Sequence, residues 1–155
     1  MSILDDKRIL LVVTGGIAAF KALELVRLIK ANGINVRVVL TKSGSKFVTP
    51  LSIQALTEDK VYTELFSLTD ESEMGHIQLS RDADLILVAP ATANILAKMR
   101  AGISDDLAST VLLATDKPVL VAPSMNVRMW EHEATQANIC VLLKRGVEDL
   151  GPDVG

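Results

Sequence analysis

Cysteine is almost missing from this chain: Cys140 stands alone. A single cysteine rules out an internal disulfide and a CxxC pair, and it fits a reducing cytoplasm. Aromatic residues make up only 3%, so a core must be filled by aliphatic side chains. No Lys/Arg run stands out and the net charge is −3. Sequence-independent nucleic-acid binding, which needs a basic cluster, is therefore not expected. No apolar stretch approaches the ~20 residues of a membrane-spanning helix. The first residues, Met1 to Lys7, are polar and carry Asp5 and Asp6, unlike the apolar centre of a signal peptide. The two histidines, His76 and His132, have no Cys or His partner at metal-ligand spacing, so no metal site is expected.

What is abundant is Val, Ile, Leu and Ala, within a 49% hydrophobic total. That is the usual filling of a parallel sheet covered by helices. A chain of 155 residues suits one domain that buries roughly 70% of its unfolded surface. Arg8 to Val13 reads as a buried strand, broken by Thr14-Gly15-Gly16. A helix is expected from Ile17 to Asn32, stopped by Asn32-Gly33. Asn35 to Leu40 is a second strand, completing a right-handed βαβ unit. A helix beginning near Pro50, a short strand at Val61-Tyr62, a mobile loop at Ser67 to Glu73 and a short helix over Ile77 to Ala83 follow. Leu85 to Ala89 and Val119 to Ala122 are further strands. Helices are expected over Thr92 to Arg100, Leu107 to Ala114 and Ala134 to Lys144. The pattern predicts an α/β fold: a Rossmann-like (flavodoxin-like) doubly wound parallel sheet in three α/β/α layers.

On such a sheet, ligands bind beyond the carboxyl ends of the strands, which selects three turns. Thr14-Gly15-Gly16-Ile17-Ala18-Ala19 allows close backbone approach to an anion at a helix start. It lacks the full GxGxxG spacing and the P-loop Gly-Lys-Ser/Thr, which argues against a dinucleotide or ATP site. Pro90-Ala91-Thr92-Ala93-Asn94 follows a strand, and Thr92 reads either as a ligand contact or as a helix cap. Pro123-Ser124-Met125-Asn126-Val127-Arg128-Met129-Trp130 follows another. There Asn126 offers both donor and acceptor to a carboxylate or amide. The plainer alternative is an Asn cap with Met129 and Trp130 packed in the core. Cys140, in an apolar helical run, reads as an inert core residue. His132 reads as a solvated helix start.

Pro123-Ser124-Met125-Asn126 with Met129-Trp130 resembles the P-x-M-N-x-x-M-W signature of the flavin-dependent cysteine decarboxylases. Pro90-Ala91-Thr92-Ala93-Asn94 is similar to their P-A-S-A-N-T segment, with Thr92 for Ser and Ile95 for Thr. Met74-Gly75-His76-Ile77 resembles the stretch carrying their catalytic histidine. The likeness runs from Lys7 to Gly155 and is strongest to the decarboxylase half of the bacterial bifunctional enzyme of coenzyme A synthesis. It implies FMN as cofactor, lined by Gly16, Ile17, Ala18, Ser43, Thr92, Asn94 and Ser124. It implies His76 as base, and Asn126 with Met125 at the substrate.

The implied reaction turns (R)-4'-phospho-N-pantothenoylcysteine into 4'-phosphopantetheine. A carbanion left by departing CO2 needs an electron sink, which a cysteine thiol lacks until it is oxidised. FMN would take a hydride equivalent to give a thioaldehyde, CO2 would leave, and the enethiolate would be re-reduced. In the relatives a flap cysteine assists that last step, after a segment like Gly151-Pro152-Asp153. The resemblance places the flap beyond Gly155, with a phosphopantothenate-cysteine ligase domain fused after it or separate. It also implies a homotrimer or dodecamer. Two alternatives stand beside this reading: a peptide-cysteine oxidative decarboxylase that stops at the enethiol, and a non-catalytic flavin-binding regulatory subunit.

Overall fold

The computed structural model describes residues 5–63 and 75–151. The expected loop at Ser67 to Glu73 and the segment after Gly151 lie outside them. Six parallel strands form one sheet in the order β3-β2-β1-β4-β5-β6. They are β1 (Arg8–Val13), β2 (Asn35–Leu40), β3 (Val61–Tyr62), β4 (Leu85–Ala91), β5 (Val119–Pro123) and β6 (Glu148–Asp149). The helices are α1 (Ala22–Ala31), α2 (Pro50–Thr57), α3 (His76–Arg81), α4 (Ala93–Ala101), α5 (Leu107–Ala114), α6 (Val127–Glu131) and α7 (Glu133–Lys144). The doubly wound three-layer expectation holds.

Side chains on a strand alternate between faces, and the core divides accordingly. Leu10, Val12, Ile86 and Val88 join helices α3, α4, α5 and α7 on one face. Leu11, Val13, Leu87 and Ala89 join α1 and α2 on the other. Right-handed crossovers explain the division. The chain moves one way from β1 to β3 and the opposite way from β4 to β6, so the helices change sides at the reversal. As a result, no described helix covers the second face beyond β1. Leu120 and Ala122 there are only half-buried. The adjoining 3₁₀ turn, Ile17–Lys21, exposes Ile17 at 78% and Phe20 at 56%.

Several local expectations are corrected. The helix expected from Ile17 to Asn32 is a 3₁₀ turn, Ile17–Lys21, followed by α1. Cys140 is exposed, because α7 turns Thr135, Ile139 and Leu142 inward and the next residue points about 100° away. Met129 is 45% exposed rather than core, while Trp130 and Met125 are half-buried against the core. β6 was not anticipated, since two acidic residues carry no strand signal, while α6 is the short helix that the Asn126 cap alternative implied.

Candidate functional site

The sheet order reverses between β1 and β4, and a crevice opens beyond their carboxyl ends, the usual ligand position in such sheets. A cleft of about 590 Å³ lies there, bordered by Thr14, Gly15, Gly16, Ser43, Thr92 and Asn94 among others. That size is ordinary for a small-molecule or cofactor site.

The turn after β1 forms one wall. Gly16 has φ +126°, a backbone state that only glycine adopts freely. Gly15 packs so closely on the β2 turn that an added Cβ would lie 2.6 Å from the Ser43 Cβ. A Cβ on Gly44 would meet the Val13 carbonyl at 2.8 Å. The tips of β1 and β2 are therefore in backbone contact. Thr14, only 3% exposed, donates its hydroxyl to the Pro90 carbonyl and ties this wall to the carboxyl end of β4.

The opposite wall begins at Thr92. Its hydroxyl caps α4, accepting from the Ile95 N–H at 3.3 Å. Asn94 is exposed on the first turn of that helix. The Ser124 N–H donates to the Ala91 carbonyl at 3.0 Å, so the β5 turn is laced to the β4 turn. At the far side, Lys98 pairs with Asp105 at 2.9 Å. The hydrogen bond from Lys98 holds the Asp105 carboxyl below the ordinary carboxylate range. Asp106 and Ser109 form a reciprocal cap on α5. Lys42 and Lys46 stand at the mouth.

Four of the expected cofactor residues, Gly16, Ser43, Thr92 and Asn94, thus border one cleft. Ile17 and Ala18 follow Gly16 in the 3₁₀ turn. Ser124 does not line the cleft; its N–H bonds to the Ala91 carbonyl, next to Thr92. Met125, Asn126 and His76 are not part of the cleft lining. Asn126 is exposed and caps α6, its Oδ1 accepting from the Met129 N–H at 2.9 Å. Both the Thr92 and the Asn126 side chains therefore make the helix caps that were the plainer alternative, and a cap leaves each with spare capacity. The Asn126 Nδ2 hydrogens remain to be donated. His76 opens α3, half-buried. Its Nδ1 is fully buried with no hydrogen-bond partner among the described residues, and a buried polar atom ordinarily has one. His132 is exposed, and its Nδ1 caps α7, as its position before that helix suggested.

Residue-by-residue reading missed Thr14, Lys42, Lys46, Lys98 and Asp105. Thr14 sits in the quoted glycine turn, and its small polar side chain at a strand end was the available signal. Nothing in linear order links Lys98 to Asp105 or either one to the cleft.

A residue set that leaves no room for a Cβ at Gly15, holds Gly16 at φ +126° and places two lysines at the rim fits a phosphorylated cofactor. The comparisons agree. The chain is 48% identical over all its 155 residues to the coenzyme A biosynthesis bifunctional protein CoaBC of Vibrio vulnificus, spanning 39% of that protein. It is 47% identical over 152 residues, 98% of its length, to the same protein of Escherichia coli and covers 37% of it. The chain thus spans well under half of the curated relatives it matches. The crystal structure of the FMN-dependent cysteine decarboxylase SpaF superposes with a TM-score of 0.88 at 29% identity, over 99% of this chain and 88% of that one. A PPC decarboxylase mutant complexed with pantothenoylaminoethenethiol superposes with a TM-score of 0.80 at 32% identity, over 94% and 81%. With residues 2–155 matching it, the chain belongs to the Flavoprotein family.

Proposed function

We propose that this domain catalyses the FMN-dependent decarboxylation of phosphopantothenoylcysteine to 4'-phosphopantetheine. The observation that carries the reading is identity of 48% along the whole chain to a bifunctional enzyme of coenzyme A biosynthesis, joined to a cleft bordered by Gly15, Gly16, Ser43, Thr92 and Asn94. Gly15 and Gly16 bring the backbone to the phosphate. Ser43, Thr92 and Asn94 supply side-chain hydrogen bonds, and Lys42 and Lys46 oppose its charge. Ile17, Ala18 and Ser124 flank the same turns. Bound FMN supplies reversible two-electron oxidation, which makes the thiol-bearing carbon a sink for the electrons of the departing carboxylate.

The chain's own groups bind and move protons. Asn126, with Oδ1 engaged in its cap, turns two N–H donors to the substrate carboxylate, and Met125 packs beside it. His76 takes the proton released as the cysteine is oxidised. Neither group borders the cleft in a single chain, and the uncovered face around Leu120, Ala122, Ile17 and Phe20 is apolar. A homotrimer or a dodecamer built on that face brings the two sets of residues together. A ligase domain, fused or separate, supplies the substrate, and the location is the cytoplasm. Among the described residues, no helix is long and apolar enough to cross a membrane.

The test is direct. The purified protein should carry yellow flavin that is released as FMN. His76→Asn should keep the colour and lose CO2 release. A colourless protein that takes up no FMN refutes the cofactor, and normal turnover by His76→Asn refutes the base. Mass analysis of the product separates 4'-phosphopantetheine from an enethiol.

A further inference from the structure

The α6 helix that carries Asn126 has five residues, none of them buried. A helix that short does not hold itself together in water, so the direction of the Asn126 amide must be fixed from outside. Its first turn is closed by the Asn126 cap and by the Trp130 N–H bonding to the Asn126 carbonyl at 3.0 Å. Its last carbonyls need partners of their own. The Trp130 carbonyl finds one in Gln136, whose Nε2 donates to it at 2.6 Å.

Gln136 belongs to α7, which is anchored. Thr135, Ile139 and Leu142 are 7%, 6% and 3% exposed. The helix is capped by the His132 Nδ1, which accepts from the Ala134 N–H at 3.0 Å. The His132 N–H in turn closes α6 on the Arg128 carbonyl at 3.1 Å. Met125 and Trp130 pack against the core on one side of Asn126, and a second connection to the far end of α6 runs through α7 and across the one side chain of Gln136. We propose that Gln136 is a positioning residue for substrate binding: its amide locks the far end of α6 and so aims the Asn126 donors at the substrate carboxylate. The proposal rests on the substrate role given to Asn126 above.

The experiment measures binding of phosphopantothenoylcysteine by calorimetry to the FMN-loaded His76→Asn protein, alone and combined with Gln136→Ala, Gln136→Lys or Asn126→Asp. Gln136→Ala should weaken substrate binding about five- to tenfold, the scale of one hydrogen bond. FMN content and melting temperature should stay as in the parent. Gln136→Lys should restore binding, since an ammonium can donate to a carbonyl at a helix C-terminus. A merely structural glutamine would show the opposite pattern, with a lower melting temperature and an unchanged substrate constant. Unchanged binding in Gln136→Ala, or no recovery in Gln136→Lys, overturns the inference while Asn126→Asp still binds poorly. If Asn126→Asp binds substrate as well as the parent, the Asn126 assignment itself fails and the inference falls with it.

Discussion

The hydroxyl of Thr14 donates to the carbonyl of Pro90, joining the turn after β1 to the carboxyl end of β4, where the strand order reverses. Thr14 lines the cleft and is buried. Thr14→Val keeps the shape and removes the donor, leaving the Pro90 carbonyl unpaired. A loss of about 1–3 kcal/mol of stability is expected, read by urea unfolding, together with weaker FMN retention. Thr14→Ser should recover both. Undiminished FMN affinity in the valine variant would show that the crosstie does not set the cleft.

Gly15→Ala tests the contact between strand tips. The new methyl would sit 2.6 Å from the Ser43 Cβ and 3.3 Å from the Ser43 carbonyl carbon. The backbone there cannot swing away as a flexible side chain could. Overpacking of this kind costs about 1–3 kcal/mol, and here the strain falls on the cofactor wall. The variant should purify with little FMN, measured as the ratio of flavin to protein absorbance.

Asn126 can be divided into its two uses. Asn126→Ala removes the cap and the amide together, with a stability cost of about 1 kcal/mol. Asn126→Asp preserves the cap, since aspartate accepts from the Met129 N–H equally well, but it replaces donors by a like charge facing the substrate carboxylate. The aspartate variant should melt with the parent and release no CO2. Retained turnover in the aspartate variant would show that the residue is only a cap.

Leu120→Asp probes assembly. Leu120 is half-buried on the part of the second sheet face, beyond β1, that no described helix covers. A carboxylate placed there is tolerated in a lone chain and excluded from an apolar interface. Light scattering should report a smaller species than the parent, with loss of decarboxylation. An unchanged mass would remove this face from the interface.

Acid sensitivity has a local source at the opposite edge of the sheet. Arg37 bridges Asp59 at 3.2 Å and Asp82 at 2.9 Å. Burial pushes the Asp82 carboxyl up, but hydrogen bonds from Gln78 and Arg37 outweigh it and hold it below its ordinary range. A depressed carboxyl stabilises the fold above its unfolded pKa of about 4. That contribution fades as pH falls through the lower folded value. Asp82→Asn should cost up to about 1 kcal/mol at pH 7 and flatten the loss of stability below pH 4 in urea melts. FMN content should not change.

The strands β1, β2, β4 and β5 were legible because buried parallel strands are written as unbroken Val, Ile and Leu. The breaks after them exposed three of the turns that matter. α2 announced itself through Pro50, and α5 was expected over the span it occupies, Leu107–Ala114. The linear pattern failed where a residue's surroundings are distant in sequence. Cys140 looked apolar in company, yet helical rotation puts it in solvent. Met129 looked like core, yet α6 lies on the surface.

The sequence by itself determined the fold class, the glycine turn and the family signatures, since strand composition and local backbone demands are properties of neighbouring residues. Tertiary structure alone decided that Thr14 spans to Pro90 and that Gly15 leans on Ser43. It also decided that no described helix covers the second sheet face beyond β1. Those facts depend on strand order and crossover hand, which bring together residues dozens of positions apart.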